Sequence, residues 1–150
     1  MSVAVTPRPR DVFGRPVARD ADVPVEADPQ ALPPEETLRE AAALLAQGRA
    51  FRAHEVFEAI WKATEGEERE LWRALAQLAV GITHAQRGNA AGSATLLRRG
   101  ADNLGAWEGQ HPYGIPVTAL REWASQAAGR PLPAERLLAA MPPLLGDSGG

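Results

Sequence analysis

The chain contains no cysteine. Disulfides, thiolate zinc centres and a cysteine nucleophile are therefore excluded, and the lack fits a reducing compartment. No apolar run approaches the length of a membrane span, and the N-terminus has no continuous apolar stretch of the signal-peptide kind. The expected location is the cytoplasm, with no membrane partner. Aromatic residues make up 5% of the chain and there are 3 histidines, so a site built on imidazole has few candidates. The formal net charge of -3 supplies no field that would draw nucleic acid, and none is expected as a partner.

What is present is ordinary for a globular protein: 150 residues, 45% hydrophobic and 23% charged. That is enough for one domain with a single core. Seven of the 13 prolines fall within residues 1–34. There Arg8, Arg10, Arg15 and Arg19 alternate with Asp11, Asp20, Asp22, Glu26 and Asp28, and no helical or strand period runs through the segment. Residues 1–34 are expected to form a proline-rich arm, either mobile or extended over the domain and anchored by Phe13 and Val17. Residues 35–145 are expected to be the folded domain, and 146–150 a frayed tail.

The domain reads as all-α, a compact bundle of five to six helices. Pro33-Pro34 followed by Glu35-Glu36 is a helix start, with acids against the positive end of the dipole. Leu38, Ala41, Ala42 and Leu45 recur at helical spacing until Gly48. A second helix is expected from Arg49 to Thr64. A third opens at Glu67-Glu68, and its ALAQLAVGI stretch (Ala74 to Ile82) is apolar nearly all round, as for a helix contacted on several sides. Gly88-Asn89 ends it and caps a fourth helix from Ala90 to about Glu108. The QHPYGIP stretch, Gln110 to Pro116, is a loop. A fifth helix from Val117 to near Gly129 and a short sixth from Pro133 to Met141 complete the pattern.

The informative stretch is Phe51 to Asn89. At 100° per residue, Phe51, His54, Phe57, Glu58 and Trp61 fall in one arc about 120° wide, with Arg52, Glu55 and Lys62 outside it. On the third helix Ala74, Gln77, Gly81 and His84 share a face. If the two faces meet, His54, Glu58, Gln77 and His84 form an internal polar cluster, with Glu55 and Trp61 at its margin. A lone buried carboxylate costs several kcal/mol, so Glu58 needs a partner there.

Three readings stay open. The cluster is structural and fixes helix register, or it binds a small polar molecule. Alternatively it supports a metal-dependent, hydrolytic enzyme, with His54, Glu58 and His84 as ligands of a divalent metal and Glu55 or Glu58 handling the proton. His54-Glu55 is not the zinc-peptidase signature, since Glu58 stands where the second histidine belongs. A ferritin-like di-iron site lacks its carboxylate and Glu-x-x-His sets. His111 in the loop and Arg98-Arg99 read as solvated surface. A homo-oligomer is compatible with the sequence.

The pattern F-x-x-H-E-x-x-E-x-x-W (Phe51, His54, Glu55, Glu58, Trp61), then L-x-Q-L-A (Leu75 to Ala79), His84 and G-N-x-x-G (Gly88, Asn89, Gly92), resembles the DUF309 family. The resemblance covers about Glu35 to Leu104. It implies a compact all-helical domain of bacteria and archaea whose biochemical function is unassigned, and it carries no catalytic residue over. The leading expectation is a helical domain of this type with a structural or ligand-binding cluster; the alternative is the metal-dependent enzyme.

Overall fold

In the computed structural model, residues 29–145 are described. The expectations for residues 1–28 and 146–150 lie outside them. The described residues form six α-helices and no strand: α1 (Pro34–Ala46), α2 (Ala50–Ala63), α3 (Glu68–Gln86), α4 (Ala90–Leu104), α5 (Val117–Gly129) and α6 (Ala134–Ala140). Each of α1 to α4 packs on the next helix in the chain, and α6 returns to α3. The connections α1–α2, α2–α3 and α3–α4 are short, so these helices run antiparallel.

Pro33 precedes α1 with Glu35 and Glu36 in its first turn, and Thr37, fully buried, donates its hydroxyl to the Leu32 carbonyl (3.1 Å). The inner positions of α1 are Leu38, Ala41, Leu44 and Leu45. Helix α3 is the middle of the bundle. Leu71, Trp72, Ala74, Leu75, Ala76, Leu78, Ala79 and Ile82 are all buried along it, as its nearly continuous apolar sequence requires.

Helix α4 comes unusually close to α3. A methyl group added at Gly100 would lie 2.6 Å from Leu78 Cδ2 and 3.1 Å from the Ala74 carbonyl. One added at Gly81 would lie 2.8 Å from Leu97 Cγ. Each glycine is the hole that receives a leucine from the opposite helix, so the low helix propensity of Gly100 is offset by packing.

Helix α4 was expected to continue to Glu108 but ends at Leu104, tightening into a 3-10 turn over Gly105–Trp107. The reason lies in α5. Arg121 Nε donates to the Ala101 carbonyl (2.9 Å), satisfying a carbonyl at the helix end, and its guanidinium lies over Gly105, where a Cβ would meet Nη2 at 3.3 Å. Arg121 also pairs with Glu108, which accepts a hydrogen bond from Thr118. Trp123 of α5 donates its Nε1 proton to the Leu137 carbonyl (3.0 Å), fixing α6.

The loop before α5 holds a feature the sequence did not announce. Tyr113 sits at φ 54, alone among the described non-glycine residues in the left-handed region. Its ring lies 5.8 Å from that of buried Trp72, which stacks on Phe57 at 6.5 Å. Its hydroxyl donates to Glu68, which also accepts from Trp72 Nε1 (3.4 Å). The carboxylate raises the Tyr113 pKa to about 12, with burial adding.

Gly100→Ala tests the close approach. Helix propensity alone would stabilise the variant by about 1 kcal/mol, whereas overpacking against Leu78 and Ala74 would cost about 1–3 kcal/mol. The expected outcome is a lower melting temperature, measured by circular dichroism.

Candidate functional site

The buried face of α2 is made of Ala50, Ala53, Val56, Phe57 and Ile60. This corrects the expected arc. Among its members only Phe57 is buried; Phe51, His54, Glu58 and Trp61 lie beside the core, half-exposed. Phe57 enters the helix pair and stacks on Trp72, while Phe51 and Trp61 stay at its edge.

Along that edge His54 Nε2 lies 3.0 Å from Glu58 Oε2, and Lys62 Nζ donates to Glu58 Oε1 at 2.7 Å. The side chains of His54, Glu58 and Lys62 are 18%, 32% and 65% exposed, so the row grades outward into solvent. The hydrogen bond from His54 holds the Glu58 carboxyl at about 2, with Lys62 helping and partial burial opposing. The His54 ring packs on Phe51 at 5.4 Å. Its Nδ1 is covered and has no hydrogen-bond partner among the described residues. With Nε2 committed to Glu58 and Nδ1 shut off from solvent, His54 offers no nitrogen to a substrate or to a metal entering from outside. Glu55 points elsewhere and pairs with Arg52 (3.4 Å).

Trp61 closes the other end of the α2 edge. The guanidinium carbons of Arg69 and Arg73 on α3 lie 5.2 and 5.9 Å from its ring centroid, within the range of cation–π attraction.

Gln77 does not meet His54 or Glu58 through any hydrogen bond. Its Oε1 accepts from Asn103 Nδ2 on α4 at 2.6 Å. His84 also turns to α4. Asn89 Nδ2 lies 3.3 Å from His84 Nδ1, while Asn89 Oδ1 accepts from the Gly92 backbone N–H (2.9 Å) and so caps α4. A side chain at Gly92 would strike both groups, with a Cβ 2.5 Å from Asn89 Nδ2 and 3.0 Å from His84 Cγ. Burial, then the charge of Arg87, push the His84 pKa below 6.5. The neutral ring with a bare Nδ1 is the form that can accept from Asn89.

His84 therefore belongs to the end of the bundle where Gln86 Nε2 donates to the Gly48 carbonyl (2.6 Å). At the ordinary helical rise, Glu58 lies about 12 Å further along the axis. Among the described residues no group of three or more His, Asp or Glu side chains is placed to hold a metal ion. The expected ligand set His54, Glu58 and His84 is thus not assembled; the first two meet and the third is engaged elsewhere. Nor is the cluster sealed from water. Sequence reasoning missed Asn103, Arg69 and Arg73, which act across helix pairs. The i,i+4 spacing of Glu58 and Lys62 was a legible signal.

Residues 38–96 match the family model described as a domain of unknown function, DUF309. Over that segment the chain is similar to this family. The segment begins inside α1 and ends inside α4, so α5 and α6 lie beyond it. No match to the chain was found among curated proteins or among solved structures. Among the described residues no helix is long and apolar enough to cross a membrane.

Two pH dependences follow from the ionisation of residues within the matched segment. Glu58 is depressed from 4.5 to about 2, so the stability it lends is complete above 4.5 and is lost as pH falls toward 2. His84 is depressed below 6.5; the unfolded chain binds that proton first, so stability declines as pH drops through 6.5. Melting temperatures across this range should show both losses, with Glu58→Gln lacking the acidic one and His84→Gln lacking the neutral one.

Proposed function

We propose that this chain is a non-catalytic helical domain of the DUF309 type, in which the motif polar residues serve as ties within and between helices and leave an outer face for binding. The observation that supports this reading most strongly is that the motif carboxylate Glu58, the amide Gln77 and the imidazole His84 each already have a hydrogen-bonding neighbour. Glu58 has His54 and Lys62, Gln77 has Asn103, and His84 has Asn89. A residue kept for catalysis would present an unengaged atom to an accessible concavity. His54, the strongest imidazole candidate, has its remaining nitrogen covered.

The metal-dependent reading would need His84 free beside Glu58, and the engagement of His84 with Asn89 weighs in favour of the non-catalytic one. In the non-catalytic reading the polar pairs decide alignment while the leucines and alanines supply the bulk of stability, because a hydrogen bond contributes a net of only about 1 kcal/mol.

The test combines chelation with substitution. The expected result is an unchanged melting temperature after exhaustive dialysis against EDTA, and a loss of about 1 kcal/mol in His84→Ala from the lost hydrogen bond to Asn89 and the space left beside Gly92. A stoichiometric transition metal in purified protein that disappears in His84→Ala would overturn the proposal.

A further inference from the structure

The outward side of α3 has a character unlike the rest of the chain. Arg69 and Arg73 are exposed, with Gln77, Val80 and His84 half-buried beyond them, at spacings of three and four that put all five on one side of the helix. Helices α2 and α4 both pack on α3. On α2 the row is bordered by Trp61, against which both arginines lie. On α4 it is bordered by Asn103, bonded to Gln77, and by exposed Arg99, one turn before Asn103 on the same side.

We propose that this side of α3, between α2 and α4, docks an acidic amphipathic helix of a partner protein. The proposal rests on the reading of the domain as a non-catalytic binding module and names the kind of partner. Three observations carry it. The first is charge. The chain carries a net -3, yet this side presents Arg69, Arg73 and Arg99. Arg69 and Arg99 have no carboxylate partner among the described residues, and Arg73 shares only a 3.4 Å contact with Glu70. The second is composition: tryptophan and arginine together are the side chains that most often anchor protein interfaces. The third is the apolar interleaving of Trp61, Val80 and Leu96, all half-exposed, which suits the apolar stripe of a helix. Nucleic acid fits less well, since half-exposed Trp61, Val80 and Leu96 interrupt the cations with apolar surface that a phosphate backbone does not match.

The experiment titrates the full chain into a fluorescein-labelled helical peptide whose leucines at i, i+3, i+4 and i+7 lie between glutamates, following anisotropy at low and physiological salt. The same titration is run with the lysine-for-glutamate counterpart peptide and with single-stranded RNA. Binding of the glutamate peptide is expected, with a roughly ten-fold or greater loss in both Arg69→Glu and Arg99→Glu. Arg136→Glu, exposed on α6, carries the same charge change and is expected to bind as the parent does. Circular dichroism melts show that each variant is folded. The proposal is overturned if the glutamate peptide does not bind, if Arg136→Glu weakens it as much as Arg69→Glu, or if RNA binds more tightly. It is also overturned if sedimentation shows self-association that Arg69→Glu abolishes, which would give the face to a second copy. The EDTA and His84→Ala results are independent of every one of these outcomes, so the two readings can fail separately.

Discussion

The close seating of α4 on α3 is the constraint from which the rest of this structure follows. Gly81 receives Leu97 and Gly100 receives Leu78, and a leucine can enter only because the glycine opposite has no side chain. This reciprocal fit brings the two backbones near enough for short side chains to act across them. Asn103 reaches Gln77, and the Asn89 carboxamide reaches both the His84 ring and the first turn of α4. A wider separation would leave the half-buried amides of Gln77 and Asn103 to water and remove their power to fix register. The polar ties are in this sense a consequence of the apolar packing, and they add directionality to a contact that dispersion and burial alone would leave free to slide.

The α2 side of α3 is held by a different chemistry. Phe57 of α2 stacks on Trp72 of α3 and Ala50, Ala53, Val56 and Ile60 are buried along the same helix, while Phe51 and Trp61 lie at its edge. There the helix carries an ionic row of its own, from His54 through Glu58 to Lys62, which grades from half-buried to exposed. Pairs of this kind within one helix contribute a few tenths of a kcal/mol. They stiffen α2 and keep Glu58 ionised without a metal or a sealed cavity. Trp61 then meets Arg69 and Arg73 from the next helix, so the end of the α2–α3 hairpin is closed by stacked cations in place of a core side chain.

The helices were legible because their signals are local. Pro33-Pro34 with Glu35-Glu36, the glycines at 48 and 66 and the Gly88-Asn89 turn each mark an end, and Gly88 does take the left-handed conformation (φ 78). The continuous apolar run of α3 foretold its central place. The site was harder to read, and for a definite reason. Helical periodicity sorts residues into faces but does not say which face is buried when small and large apolar residues lie on adjacent arcs. The arc with Phe51 and Trp61 reads as core, whereas of its members only Phe57 joins Ala50, Ala53, Val56 and Ile60 there. Partners such as Asn103 for Gln77 depend on the register between helices, which a single helix does not encode. The left-handed Tyr113 was beyond reach for the same reason, since its stacking on Trp72 and its bond to Glu68 offset a local cost that sequence alone counts against it.

The claim that the motif side chains hold helices in register is tested most directly by a double-mutant cycle between α3 and α4. Unfolding free energies of the parent, Gln77→Ala, Asn103→Ala and the double variant give the coupling of one amide to the other. The account predicts a favourable coupling of about 1 kcal/mol, because each single change leaves a half-buried amide without its partner while the double change removes both. Strictly additive losses, with coupling indistinguishable from zero, would contradict it and return these residues to the pool of candidates for another task.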